Sequence, residues 1–335
     1  MFCKRLFSVL NTTFCLAFWL LLSAATYASP DSTQTAKPAD RAARAQASAT
    51  RAEPLRVLAA HPVVYGLARQ LLQGADGLVL TRVAPARLPA NRIPAYLLGR
   101  GQDALMDAAV QSQAVLTLRS IWPDDQLYPL ARRANIRIVE IDVANPVEGD
   151  LPGITLLGGK AGAASDSGLL NNPPWQDSAN LARMAALMVN ALSRLAPEAA
   201  PRLQANLTKI NQRLQQAVSQ TSRTLAEAEQ LSVLLLSPRM HVLANALQLE
   251  PVSWQIPEND AELPAALAQA LARGKPRVAL THTSPDEAAA KLIEESGAKL
   301  VILSENADDP VTALIDAMQA IREAMHTSRQ PKSKS

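Results

Sequence analysis

The sequence predicts an α/β fold in two lobes, each a parallel β-sheet wrapped by helices, with long helices as the spine between them. Three observations carry this. Short apolar runs alternate with helical periodicity from Arg56 to Ile141, and the same rhythm restarts from Leu231 to Met325. Two long helical patterns stand between the two series. The chain has 335 residues, and the roughly 300 left after a leader exceed what one compact core usually holds.

The elements follow in order. Lys4 and Arg5 precede an apolar stretch from Leu6 to Thr26, and small residues sit at Thr26 and Ala28. That is the pattern of a secretory signal peptide over residues 1–28, cut after Ala28. Neither Cys3 nor Cys15 has the small-residue context of a lipid-modified cysteine, which points to export into a periplasm. Residues 29–54 are rich in Ala, Ser, Thr, Arg and Asp without apolar periodicity, so they read as a flexible linker.

The first lobe is expected over residues 55–175. It comprises a strand at Arg56–Ala60, a helix from Pro62 to Gln73 closed by Gly74, a strand at Leu78–Val83 and a helix at Asp103–Gln111. A strand at Ala114–Leu118, a helix at Asp124–Ala134 and a strand at Ile136–Ile141 complete it. Asn145 to Pro174 reads as a long surface loop. Its Gly158-Gly159-Lys160-Ala161-Gly162 lacks the Gly-Lys-Ser/Thr ending of a phosphate loop.

A connecting helix is expected over residues 176–197. Its pattern runs from Ser178 to Leu195, with Leu181, Met184, Ala185, Met188 and Leu192 on one stripe. The second lobe, residues 198–326, opens with a helix from Glu198 to about Glu229. Strands follow at Leu231–Leu236, Pro251–Ile256, Arg277–Thr281 and Lys299–Leu303. Its other helices fall at Arg239–Leu247, Ala261–Arg273, Pro285–Ser296 and Val311–Met325. His326 is assigned to the C-terminal tail, and residues 327–335 read as disordered. No sequence repeat relates the two lobes.

Composition narrows the chemistry. Without Lys4 and Arg5 the chain carries 31 basic against 30 acidic residues, a net of +1, and nothing in that balance calls for nucleic acid. Both cysteines leave with the leader, so a soft-metal site would use imidazole, carboxylate and amide groups, a set that suits zinc or manganese. Of four histidines, His61, His241 and His282 each follow an expected strand and precede a helix. In open α/β folds the carboxyl ends of strands line the ligand crevice, so these three imidazoles are candidates to meet across one cleft. Oxygen donors are available at Asp124 or Asp125 and at Ser304 or Glu305, although Asp124 and Asp125 also fit helix-capping roles. Catalytic motifs are missing: there is no Gly-x-Ser-x-Gly, no His-Glu-x-x-His and no paired-cysteine zinc module.

The stretch Val57-Leu58-Ala59-Ala60-His61-Pro62-Val63 through Gly74, Trp175, Val233 to Leu249, and Ala279 to Leu303 with Glu295-Ser296-Gly297-Ala298-Lys299 together resemble the zinc- and manganese-binding periplasmic proteins of metal ABC transporters. The resemblance covers roughly Leu55 to Met325. It implies a metal-type solute-binding fold, two lobes joined by one long rigid helix, with the ion held between them by histidines and a carboxylate. It places the family's ligand positions near Asn91, at Pro173 or Pro174 ahead of Trp175, at Ser237, and on or beside His282. The family's acidic, histidine-rich insert is absent. His241 lies four residues after Ser237, one helical turn along.

The expectation is therefore a non-enzymatic, monomeric periplasmic protein that captures a divalent cation, zinc first and manganese second, for an ABC permease. The ligands would be His61, His241 and His282, with Asn91, Asp124, Trp175, Ser237 and Glu305 as further cleft residues. A degenerate paralogue binding a non-metal ligand or serving as an accessory subunit, and a periplasmic hydrolase using the same cleft, are the alternatives.

Overall fold

Short runs of β-branched and aliphatic residues form the strands because both faces of each central strand are covered, which removes any need for polar alternation. The computed structural model describes residues 53–146, 151–157, 172–257, 259–304, 307 and 309–326. The leader, all but the last two linker residues, Gly158–Gly162, Glu305 and the 327–335 tail lie outside them.

The first sheet contains β1 (Leu55–Ala59), β2 (Leu78–Arg82), β3 (Ala114–Thr117) and β4 (Val139–Asp142), all parallel in the order β2-β1-β3-β4. Its helices are α1 (Pro62–Leu71), α2 (Ile93–Leu98), α3 (Gln102–Val110) and α4 (Leu127–Ala134). Two long helices follow, α5 (Ser178–Leu195) and α6 (Ala200–Ala226). The second sheet repeats the topology with β5 (Ser232–Leu235), β6 (Glu250–Pro251), β7 (Val278–Thr281) and β8 (Lys299–Ile302) in the order β6-β5-β7-β8. Around it lie α7 (His241–Ala246), α8 (Leu263–Gly274), α9 (Glu287–Glu295) and α10 (Pro310–His326).

The structure departs from the sequence reading at four places. Asn135 delays β4: its amide donates to Ala109 O at 3.1 Å and Ser112 O at 2.7 Å while its side-chain oxygen accepts from Arg137 N, which leaves Ile136 77 % exposed before the strand begins. Asp125 delays α4, because its carboxylate accepts from Leu118 N and Leu127 N and so belongs to a loop clamp. β6 is only Glu250–Pro251, and its ladder to β5 ends with Val252 N donating to Val233 O at 2.8 Å. Beyond it the Trp254 indole N–H donates to Leu235 O at 2.9 Å in place of a ladder bond. His326 is the last residue of α10 and does not belong to a tail.

The longest helix is α6, 27 residues, or about 40 Å at the α-helical rise. Its buried stripe, Leu203, Leu207, Ile210, Leu214, Ala217, Thr221 and Leu225, repeats every three to four residues and packs along α5 and α10. One continuous apolar core results, running from Val57 in β1 to Met325 in α10 and including Val233 and Leu280 of the second sheet. The opposite face of that sheet has its own smaller core, where Leu234 and Ala279 meet Leu267, Leu271 and Ile293. Residues one apart on β5 enter different cores, as strand periodicity requires.

Polar ties reinforce the seam. Gln70 on α1 donates to Asp309 Oδ1 at 2.8 Å, and Asp309 also caps α10 by accepting from Thr312 N at 2.7 Å. Asn206 on α6 donates to Leu71 O at 2.8 Å and Gln73 O at 2.9 Å, closing the end of α1 just before Gly74, whose φ of +68° continues the turn. Replacing Asn206 with Ala removes its bond to Leu71 O and leaves Gln73 O with only the Arg202 Nε donor at 3.0 Å. The expected loss is about 1–3 kcal/mol, read as a lower urea midpoint at unchanged m-value.

Candidate functional site

Each sheet has a switch point, between β1 and β3 in the first and between β5 and β7 in the second, where the chain leaves neighbouring strands in opposite directions. The register makes the two equivalent: Ala59 pairs with Leu116, and Leu235 with Leu280. Two residues beyond Ala59 stands His61, before Pro62, and two beyond Leu235 stands Ser237, before Pro238. The second lobe thus has a serine where the first has its histidine. His282 directly follows β7.

His61 is 4 % exposed and sits edge-on to two indoles, 4.8 Å from the Trp175 ring centroid and 5.7 Å from that of Trp122. Its Nδ1 is buried without a protein partner. Burial first, then the Arg82 guanidinium, pushes its pKa down from 6.5 to about 3, so the ring is neutral. Arg82 itself stacks over Tyr65 at 5.1 Å and donates to Ala86 O.

Trp175 lies in a 3₁₀ turn, Pro174–Gln176, packed against α5 and α7. Asn180 holds this turn, donating to Pro174 O at 3.1 Å and to Thr155 O at 2.7 Å while accepting from Thr155 N. Gln176 is 2 % exposed, and neither atom of its carboxamide has a protein partner.

The other expected site residues have different surroundings. His282 is half-buried with its Nδ1 enclosed and unpartnered. Burial, then Arg239, lowers its pKa. His241 is the exposed first residue of α7, and Asn91 is exposed in the turn before α2. Ser237 is buried and accepts from Arg239 N at 3.2 Å, which caps the turn Pro238–Met240. Asp124 is half-buried. Asp125 is buried, and burial raises its carboxyl pKa to about 6 against the lowering pull of the Leu118 and Leu127 amides, with Asp142 and Glu140 adding to the rise.

Among the described residues no group of three or more His, Cys, Asp and Glu side chains is placed to hold a metal ion, so His61, His241 and His282 do not form one. The physical reason is visible at each ring: one is enclosed by indoles, one faces solvent, and one lies beside a guanidinium. Gln176, Asn180 and Arg82 were not singled out from the sequence. Only the adjacency of Gln176 to Trp175 hinted at it.

A cavity of about 250 Å³ lies away from the crevice between β4 and the end of α5, lined by Val139, Ile141, Leu187 and Ala191. The two carboxylates on its wall are already engaged, Glu140 by Arg119 at 3.0 Å and Asp142 by Ser120 N at 2.6 Å.

Two equivalent parallel sheets, a long helix beside both, and switch points carrying a histidine in each lobe define a two-lobed solute-binding protein of the metal type. The family model described as zinc-uptake complex component A, periplasmic, matches residues 122–328, more than half of the sequence, and the chain belongs to that family. It is a family of solute-binding proteins and not of enzymes. Similar solved structures include a zinc-bound deletion mutant of ZnuA, with TM-score 0.55 and 18 % identity over 83 % of this chain and 100 % of that one. The protein FpvC of P. aeruginosa in complex with Ni2+ gives TM-score 0.56 and 15 % identity, with 83 % and 99 % covered. A manganese-bound mutant of a periplasmic metal-binding protein from candidatus liberibacter asiaticus gives TM-score 0.54 and 12 % identity, with 81 % and 99 % covered. No curated protein matches the chain.

His61 and Asp125 pull the pH dependence of stability in opposite directions. His61 takes up a proton near pH 6.5 when unfolded but only near 3 when folded, so its contribution falls as pH drops through that window. Asp125 binds its proton near pH 6 when folded and 3.8 when unfolded, so its contribution rises as pH drops from 6 towards 3.8. Each slope is about 1.4 kcal/mol per pH unit. Urea unfolding at a series of pH values should show His61→Phe gaining on the wild type as pH falls below 6.5, and Asp125→Asn losing ground below 6. Differences independent of pH would refute both burial assignments.

Proposed function

We propose that the chain is the periplasmic solute-binding component of an ABC importer of the zinc-uptake type, which captures a divalent cation in the crevice between its sheets and hands it, as a monomer, to a membrane permease. Zinc is the first cargo and manganese the second. The observation that carries this reading is the pair of topologically equivalent switch points, with His61 and Ser237 at matching positions beyond their strands, in a chain of that family. Similar structures with zinc, nickel or manganese bound support a divalent cargo.

In this reading the enclosed Nδ1 of His282 is the nitrogen of the second lobe. His61 contributes once the Trp122 and Trp175 indoles move off its ring, and His241 approaches from the start of α7. Asn91, Asp124, Trp175, Ser237 and Glu305 are proposed as further crevice residues. Neutral imidazoles suit Zn²⁺ at neutral pH, and the lowered pKa values of His61 and His282 keep both rings in the binding form.

A second reading has its own observation. No three ligating side chains gather among the described residues, and the guanidiniums of Arg82 and Arg239 raise the positive field at His61 and His282, which opposes a dication. Here the chain keeps the fold, takes a cargo without a metal, or acts as an accessory subunit of the transporter.

Calorimetry and native mass spectrometry of the purified protein with Zn²⁺ and Mn²⁺ separate the two. Binding tighter than about 1 μM that is lost in the triple alanine variant of His61, His241 and His282 is the expected result for metal capture. No binding up to about 1 mM overturns it in favour of the second reading.

A further inference from the structure

We infer that the seam between the lobes holds one internal water, bound by the carboxamide of Gln176, and that this water fastens the turn carrying Trp175 to the second lobe. Gln176 is 2 % exposed, and its Nε2 and Oε1 are both enclosed without a protein partner. The side chain lines a cavity of about 20 Å³ together with Val63 of α1, Trp175, Leu303, Ser304 and Leu314 of α10. The walls thus come from the first lobe, the turn and the second lobe together.

Size and hydrogen-bond polarity identify the guest. A space of that volume clears the threshold for one water but not for two, and no organic molecule fits it. Nε2 needs an acceptor and Oε1 needs a donor. A cation serves only the oxygen, an anion only the nitrogen, and an apolar atom neither. One water in the plane of the amide accepts from N–H and donates to C=O, closing a small ring. Native interiors rarely leave both ends of a buried amide unpaired.

The consequence bears on Trp175. On the first-lobe side its turn is held by Asn180, through Pro174 O and the Thr155 backbone. On the other side the water's remaining O–H, not used by the amide, is directed at the Ser304 wall of the cavity beside Leu303 and the start of α10. Held from both sides, Trp175 keeps its edge against His61 at 4.8 Å. Gln176 is in this sense a positioning residue for the crevice, whatever the cargo.

Magnetic relaxation dispersion of oxygen-17 and deuterium counts long-lived internal waters in the intact protein. Wild type is compared with Gln176→Met, which keeps the shape and removes both hydrogen-bonding groups, and with Ala313→Val, which fills the cavity from the α10 wall and leaves Gln176 in place. Each is expected to lose the amplitude of one water per molecule, while Gln176→Asn retains it and keeps the wild-type Trp emission maximum that the Met variant shifts. Full amplitude in either folded variant overturns the inference. So does a wild-type crystal structure with no solvent peak within ~3.2 Å of the Gln176 amide, which decides the matter even if both variants fail to fold.

Discussion

The structure depends on one constraint: a single apolar core passes without a break from the first sheet through α5, α6 and α10 into the inner face of the second. Separating the lobes would expose that core to water at a cost proportional to the area uncovered. Every polar group caught in the seam must therefore be satisfied where it lies. Gln70 with Asp309, and Asn206 with the end of α1, do so directly. His61 avoids burying a charge by remaining neutral between two indoles, while its Nδ1 has no protein partner.

This economy explains how the crevice differs from a metal cage. A buried dication needs several donors and some compensating negative charge, because burial of uncompensated charge is far costlier than burial of a dipole. The seam instead offers one imidazole walled by tryptophans, one amide and a serine that caps its own turn, with arginines nearby. The carboxylates of the first lobe are committed elsewhere: Asp125 clamps the loop before α4, while Glu140 and Asp142 hold Arg119 and Ser120. An ion entering here must reorganise the seam, and the continuous core sets how far that can go.

Local chemistry made most of the fold legible from sequence. Ser178–Leu195 was bounded correctly because Asp177 caps one end and Pro197 follows the other, and those signals act over a few residues. The missed boundaries share a cause, namely side chains that bond to distant backbone. Asn135 reaches across to α3, Asp125 reaches back to the end of β3, and the Trp254 indole replaces a strand bond at Leu235. No periodicity encodes such contacts.

The candidate site was legible only in part. The parallel sense of each sheet follows from the alternating pattern, and with it the placement of His61, Ser237 and His282 at the carboxyl ends of strands, because each crossover returns the chain to the same end of the sheet; the strand order came only with the structure. The direction and company of each ring were decided by packing. Whether an imidazole meets another imidazole, an indole or a guanidinium depends on side chains tens to more than a hundred residues away, from Arg82 and Trp122 to Trp175 at His61 and Arg239 at His282. Such encounters exist only once each sheet and its helices have packed into place.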